Sequence, residues 1–164
     1  MAEDVELREQ SIALSDRELS PTAATFLADG RARFKSVNCF EFVPCDYELL
    51  WRVLDGLPRG RFCEWGSGFG LGCGLAALLG FESRGIEIDG PLAEASRKLL
   101  ADHKLPVTID TGDYFEILHT ADVYFVYCWP GRMKQTEEHF ASSAPPGARL
   151  LICHGQSDIR CKTP

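Results

Sequence analysis

Short apolar runs alternate with amphipathic stretches along most of the chain from residue 61 onward. Apolar runs bounded by Gly, Pro or Asp are typical of buried strands in a parallel sheet, and the amphipathic stretches between them are typical of crossover helices. The pattern predicts strands at 61–65, 83–88, 106–110, 121–127 and 149–154, and helices at 70–79, 91–103 and 133–140.

Upstream of these units the pattern is helical. Asp46 is a suitable N-cap for an amphipathic helix that starts at Tyr47 and ends at Gly56. The first thirty residues alternate charge with Ala and Leu, which predicts a loosely packed, partly helical arm. We therefore divide the chain into an N-terminal arm, residues 1–41, and a core, residues 42–164.

Strands that alternate with helices predict an α/β fold. We expect a doubly wound, mostly parallel sheet of about five strands with helices on both faces. Such sheets bind ligands beyond the carboxyl ends of their strands, where the strand order reverses. The functional site should therefore lie after Trp65, after Ile88 and after Tyr127.

The charge balance and the length of the apolar stretches argue against two classes of partner. Seventeen Lys and Arg against 24 Asp and Glu give a net charge of −7, which repels a nucleic-acid backbone. The one compact basic cluster, Arg31, Arg33 and Lys35, is typical of a solvated segment. The uncharged stretch 65–81 is shorter than the roughly 20 residues that span a bilayer. We expect neither a nucleic-acid partner nor a membrane.

The seven cysteines bear on compartment and on metal binding. They are odd in number, contain no CxxC pair, and several lie in apolar runs where a thiol behaves as a small hydrophobe. The acidic, polar start of the chain is unlike a signal peptide. We expect a cytoplasmic protein, and we assign the cysteines no metal.

The chemistry concentrates in a glycine-rich turn after the first core strand. Glu64 and Trp65 are followed by Gly66-Ser67-Gly68-Phe69-Gly70, and the next helix begins at once. Glycine lets the backbone approach a ligand and adopt conformations that a Cβ would forbid. A dinucleotide loop of pattern G-x-G-x-x-G would need a glycine where Leu71 stands. An acid before the turn would repel a pyrophosphate but suits a ligand that bears an ammonium group.

The arrangement E-x-G-x-G-x-G resembles the first motif of the class I, Rossmann-like S-adenosylmethionine-dependent methyltransferases. The resemblance covers roughly residues 42–155. It implies that an acid at the end of the second strand, here Glu87, grips the ribose, and that a Gly-Asp turn, here at Asp113, contacts the adenine amino group. The cofactor-binding residues that it implies are Glu64, Gly66, Ser67, Gly68, Gly70, Glu87, Ile88, Asp113 and Tyr114. The cofactor would be S-adenosylmethionine, released as S-adenosylhomocysteine.

The resemblance also places the methyl acceptor. In the family, the end of the fourth strand lines the acceptor pocket, and the segment before the first helix of the core, here residues 42–47, closes over the cofactor. The pocket candidates are Tyr47, Tyr127, Cys128, Trp129 and Pro130. Protein lysine and small-molecule acceptors both remain open.

Two departures from the family pattern are visible. Amino-methylating relatives often carry Asn or Asp before Pro-Pro where this chain has Cys128-Trp129-Pro130, so no catalytic residue is assigned, and His154 is the one candidate base. Family members usually add antiparallel edge strands after the fifth strand. Only ten residues follow His154, which predicts a minimal or truncated core.

Two other functions therefore stay open. A non-catalytic cofactor-binding or interaction module fits the short C-terminus and the missing base. An NAD(P)-dependent oxidoreductase fits less well, because the glycines are in the wrong register.

Overall fold

A computed structural model of the chain describes residues 6–37 and 44–164. Within this part of the chain, a seven-stranded sheet is flanked by five α-helices. The strands are β1 (Arg8–Gln10), β2 (Arg61–Trp65), β3 (Glu82–Glu87), β4 (Thr108–Thr111), β5 (Val123–Tyr127), β6 (Arg149–Gly155) and β7 (Asp158–Thr163). The helices are α1 (Pro21–Ala32), α2 (Tyr47–Asp55), α3 (Leu71–Leu78), α4 (Gly90–Asp102) and α5 (Met133–Ser143).

The central strands confirm the predicted doubly wound sheet. The strand order is β1-β7-β6-β5-β2-β3-β4, and β2 to β6 are parallel. The chain moves outward from β2 through β3 to β4, then returns to place β5 on the other side of β2. The order thus reverses between β2 and β5, which puts the ligand-binding crevice at their carboxyl ends.

The sheet has seven strands rather than about five, because an antiparallel edge is present. After His154 the chain turns back, and β7 pairs antiparallel with β6. The outermost strand comes from the arm, since β1 pairs antiparallel with β7. The sequence pattern did not predict either strand: β1 is three polar residues, and β7 has charged residues on both sides of Ile159 and Cys161.

Each face of the sheet covers its own core. Helices α1 to α4 pack on the face that contains Phe62 and Phe125, and α5 packs on the face that contains Trp65 and Tyr124. Helix α1 is completely buried at Phe26, so the expectation of a loosely packed arm is wrong for this helix. The division predicted between residues 41 and 42 lies outside the described residues, as do Phe42 and Val43.

Two features concern the expectations about membranes and nucleic acids. In the part of the chain that the structure describes, no helix is both long and apolar enough to cross a bilayer. In the basic cluster, Arg33 forms ion pairs with Asp29 at 2.7 Å and with Asp102 at 2.9 Å. Its charge therefore links α1 to α4 instead of standing free for a phosphate.

Candidate functional site

The glycine-rich turn connects β2 to α3 in a conformation that requires glycine. Gly66, Gly68 and Gly70 have φ angles of +71°, +56° and +76°, in the left-handed region that L side chains rarely adopt. Gly70 is also the N-cap of α3. Each glycine of the motif therefore stands where the backbone adopts a left-handed conformation that favours glycine.

The carboxyl group of Glu87 holds this turn against the end of β3. It is only 7% exposed; its Oε1 accepts a hydrogen bond from the Gly68 N–H at 2.9 Å, and its Oε2 accepts one from the Asp89 N–H at 3.0 Å. The N–H groups of Gly66 and Ser67 donate to the Ile86 carbonyl. The two loops that follow β2 and β3 are thus joined at the predicted ribose acid.

The second acid, Glu64, lies in a different environment. It is 6% exposed, and its Oε1 lies 3.4 Å from the Cys73 thiol. Burial is the main cause that raises the pKa of the Glu64 carboxyl to about 8; hydrogen bonds from Cys73 oppose the rise, and the nearby Glu87 adds a smaller part of it. Glu64 is therefore mostly neutral at pH 7. A Cβ on Gly72 would lie 2.8 Å from Glu64 Oε1, which explains a glycine inside α3.

The glycine-rich turn contains a polar group without a partner and open space beside it. The Ser67 hydroxyl is buried and has no hydrogen-bond partner among the described residues. A Cβ on Gly66 would meet nothing within 4 Å, and Ile88 at the end of β3 is 65% exposed. A buried polar group without a partner costs about 1–3 kcal/mol. A polar ligand in this crevice could satisfy it.

The predicted third acid lies in the turn after β4. The Gly112 N–H donates to the Glu87 carbonyl at 2.9 Å, so this turn lies beside the first two loops. The Asp113 carboxyl accepts from the Phe115 N–H at 2.9 Å. Tyr114 stacks on Trp65, with ring centroids 5.0 Å apart and 1° between the planes. The Tyr114 ring is therefore used in packing, while its neighbour Asp113 is only partly buried.

The acceptor side differs among its five candidates. Trp129 is 48% exposed, and its ring is edge-on to the half-buried Tyr127 ring at 6.3 Å. Pro130 is exposed and begins a 3₁₀ turn. Cys128 and Tyr47 are buried, and burial raises the pKa of each side chain. Of these five residues, Tyr127, Trp129 and Pro130 therefore reach the surface, and Cys128 and Tyr47 lie in the cores on opposite faces of the sheet.

His154 lies on the strand beside these residues, because Tyr127 pairs with Cys153. Burial lowers the pKa of His154, and Arg160 and Lys162 lower it further. Its Nε2 is enclosed without a hydrogen-bond partner in the described structure. The ring is neutral at pH 7, which is the state that a proton acceptor needs.

Sequence reasoning missed several residues that build the site. Thr136 and His139 on α5 hold the turn after β4: the hydroxyl groups of Thr136 and Tyr114 are 3.2 Å apart, and His139 Nε2 lies 2.8 Å from the Tyr114 carbonyl oxygen. Both are polar residues of an amphipathic helix, and no local signal separates them from solvent-facing ones.

No three His, Cys, Asp or Glu side chains within residues 6–37 and 44–164 converge as metal ligands.

Comparisons with known proteins identify the fold. No protein-family model matches the sequence, and no curated protein matches it. Among solved structures, the chain is similar to an RNA methyltransferase from Salinibacter ruber in complex with S-adenosyl-L-homocysteine (TM-score 0.55, 22% identity over 62% of this chain and 77% of that one). It is also similar to a ribosomal protein L11 methylase from Lactobacillus delbrueckii subsp. bulgaricus (TM-score 0.55, 14% identity, 63% and 57%). A third is the mitomycin 7-O-methyltransferase MmcR (TM-score 0.53, 24% identity, 63% and 34%).

These likenesses define a class. The fold is that of the class I S-adenosylmethionine-dependent methyltransferases. The matched part spans 57% of the L11 methylase and 34% of the mitomycin enzyme. The three act on unlike acceptors, so the likeness defines the fold and leaves the acceptor open.

Proposed function

We propose that the protein binds S-adenosylmethionine and transfers its methyl group to an acceptor. One observation carries the proposal: three alternating left-handed glycines, at the point where the strand order reverses, close onto the buried Glu87 carboxyl. This arrangement places two buried acids, Glu64 and Glu87, and the unpartnered Ser67 hydroxyl at one turn. It suits a ligand that bears both an ammonium group and ribose hydroxyls.

The residues present fit that cofactor. Glu64 and the glycine turn would hold the methionine portion, with the unpartnered Ser67 hydroxyl as a further hydrogen-bonding group. Glu87 would bind the ribose, and Asp113 would accept from the adenine amino group. Ile88 offers exposed apolar surface beside them. When bound, S-adenosylmethionine supplies an electrophilic methyl group on its sulfonium sulfur.

The protein would contribute to catalysis mainly by orienting the acceptor and the cofactor. An electrophilic methyl group needs a nucleophile held in line and water kept out, and effective concentration supplies much of the rate. Tyr127 and Trp129 would position the acceptor beside the cofactor, and the neutral His154 ring would accept a proton if the acceptor loses one. The acceptor is a protein lysine or a small molecule, in a cytoplasmic setting.

Calorimetric titration with S-adenosylmethionine and S-adenosylhomocysteine tests the proposal. We expect the folded protein to bind both, and Glu87→Ala to weaken binding at least about tenfold, because hydrogen bonds to a charged group are worth about 1.5–3 kcal/mol each. Glu82→Ala is the matched control, since Glu82 is exposed at the opposite end of the same strand. Absence of binding by the folded protein, or unchanged binding in Glu87→Ala, overturns the assignment.

A non-catalytic cofactor-binding module is the second candidate. It is favoured by the acceptor side, where Cys128 is buried and protonated and no carboxylate or amide is among the candidate residues. Incubation of the protein with a cell lysate and tritiated S-adenosylmethionine separates the two, because labelled product requires transfer. Titration with NADH, followed by fluorescence, tests the oxidoreductase alternative in the same preparation.

A further inference from the structure

One buried polar side chain connects the two halves of the crevice. Thr136 lies on α5 and is completely buried. Its Oγ1 lies 3.2 Å from the Tyr114 hydroxyl and 3.4 Å from Cys128 Sγ. Tyr114 follows β4 and Cys128 follows β5. A single threonine hydroxyl therefore contacts residues at two strand ends, in an otherwise apolar cluster.

Tyr114 is the anchor of its turn. Its ring stacks on Trp65, its hydroxyl reaches Thr136, and its carbonyl oxygen lies 2.8 Å from His139 Nε2, which as the N–H tautomer donates to it. Thr136 and His139 are three residues apart, so they lie on the same face of α5. The ring, the hydroxyl and the carbonyl oxygen of Tyr114 thus each have a contact, with Trp65 or with α5.

Asp113 depends on this anchoring. It directly precedes Tyr114, and its own carboxyl accepts from the Phe115 N–H on the far side of Tyr114. A shift of Tyr114 would therefore move the carboxyl that is expected to accept from the adenine amino group.

We propose that Thr136 is a positioning residue that sets recognition of the adenine ring, acting through Tyr114 on Asp113. The inference rests on the proposed function, since it concerns the same cofactor site. Thr136 need not touch the cofactor. Its hydroxyl keeps the Tyr114 side chain in one place, and the turn at residues 112–117 follows.

Three variants isolate the hydroxyl. Thr136→Val keeps the shape of the side chain and removes the hydrogen bond, so we expect the affinity for S-adenosylhomocysteine to fall about three- to tenfold, the range for one hydrogen bond. Thr136→Ser restores the hydroxyl and should restore the affinity. Tyr114→Phe removes the same bond from the other side, so its effect and that of Thr136→Val should not add.

A specificity measurement separates positioning from general loosening. S-inosylhomocysteine has a carbonyl oxygen in place of the adenine amino group, so it has no donor at the position from which adenine would donate to Asp113. We expect the wild-type protein to prefer S-adenosylhomocysteine, and Thr136→Val to reduce that preference by about the same factor as its loss of affinity. A merely structural role would weaken both ligands equally and leave the preference unchanged.

The outcomes distinguish the two levels of the argument. If the wild-type protein binds neither ligand, the proposed function fails. If it binds S-adenosylhomocysteine but Thr136→Val binds equally tightly, or the preference does not change, the role of Thr136 is overturned and the proposed function stands. If Thr136→Val does not unfold cooperatively, Tyr114→Phe decides the question by the same preference.

Discussion

The carboxyl ends of β2 and β3 and those of β5 and β6 are built on different principles. At β2 and β3, three left-handed glycines and two buried acids, Glu64 and Glu87, fix the path of the backbone. At β5 and β6, the described residues include no buried acid, and the exposed Trp129 and the neutral His154 lie there instead. The first end is defined by backbone geometry and buried acids, the second by the shape of side chains.

Under the proposed function, this difference corresponds to two tasks. A cofactor is the same molecule in every member of a fold class, so its site can be built from the backbone and from a few acids in fixed register. An acceptor changes from protein to protein, and side chains can change without altering the sheet. Breaking the first end should therefore abolish binding, whereas breaking the second should change only what is methylated.

The largest effects should come from two glycines inside α3. Alanine is a better helix former than glycine by about 1 kcal/mol, yet a Cβ at Gly72 would press on the Glu64 carboxyl and a Cβ at Gly74 would overlap the Phe26 ring. Overpacking a core costs about 1–3 kcal/mol. We expect both Gly72→Ala and Gly74→Ala to lower the free energy of unfolding, measured in urea.

Ligand binding should separate the pair. Gly72→Ala displaces Glu64 and should also weaken S-adenosylhomocysteine, while Gly74→Ala should leave its affinity within about twofold of the wild-type value, a difference under about 0.5 kcal/mol. If Gly74→Ala weakens binding as much as Gly72→Ala, then general packing, and not the position of Glu64, controls the cofactor site.

A second effect on stability follows from the neutral state of Glu64. The folded protein holds its proton up to a pKa of about 8, whereas the unfolded chain releases it near 4.5. Between these values the folded state binds more protons, so this contribution to stability is complete below pH 4.5. It is lost as the pH rises, by up to about 1.4 kcal/mol per pH unit. Glu64→Gln, which stays neutral, should flatten this part of the slope.

Cofactor binding should show the opposite trend. An ammonium group beside Glu64 favours the ionised acid, so the affinity for S-adenosylhomocysteine should rise between pH 6 and about pH 8 in the wild-type protein and not in Glu64→Gln. Calorimetric titration with S-adenosylhomocysteine at several pH values measures the affinity of both proteins. Parallel pH profiles for the two proteins would show that Glu64 does not face the ammonium group.

The two ends also differ in how far the sequence predicts them. The glycine turn and Glu87 are local: residues 64–70 and the next strand end contain both the motif and its register. The edge formed by β1 and β7 could not be predicted, because three polar residues of the arm find their partner some 150 residues away. Thr136 and His139 could not be predicted either, since their roles arise only when α5 packs beneath the turn at Tyr114.

The smallest effect on the fold should come from Trp129, the most exposed aromatic residue named on the acceptor side. Its side chain is 48% exposed, so Trp129→Ala should change the free energy of unfolding by about 0.5 kcal/mol or less and leave the affinity for S-adenosylhomocysteine unchanged. Labelling of lysate acceptors with tritiated methyl should fall about tenfold, because aromatic anchors dominate recognition energies. Leu118→Ala is the control, since Leu118 is an apolar residue of greater exposure in the loop before β5. If Trp129→Ala weakens the cofactor while labelling per bound cofactor stays constant, the indole belongs to the cofactor site, and the boundary between the two ends lies beyond β5 rather than between β2 and β5.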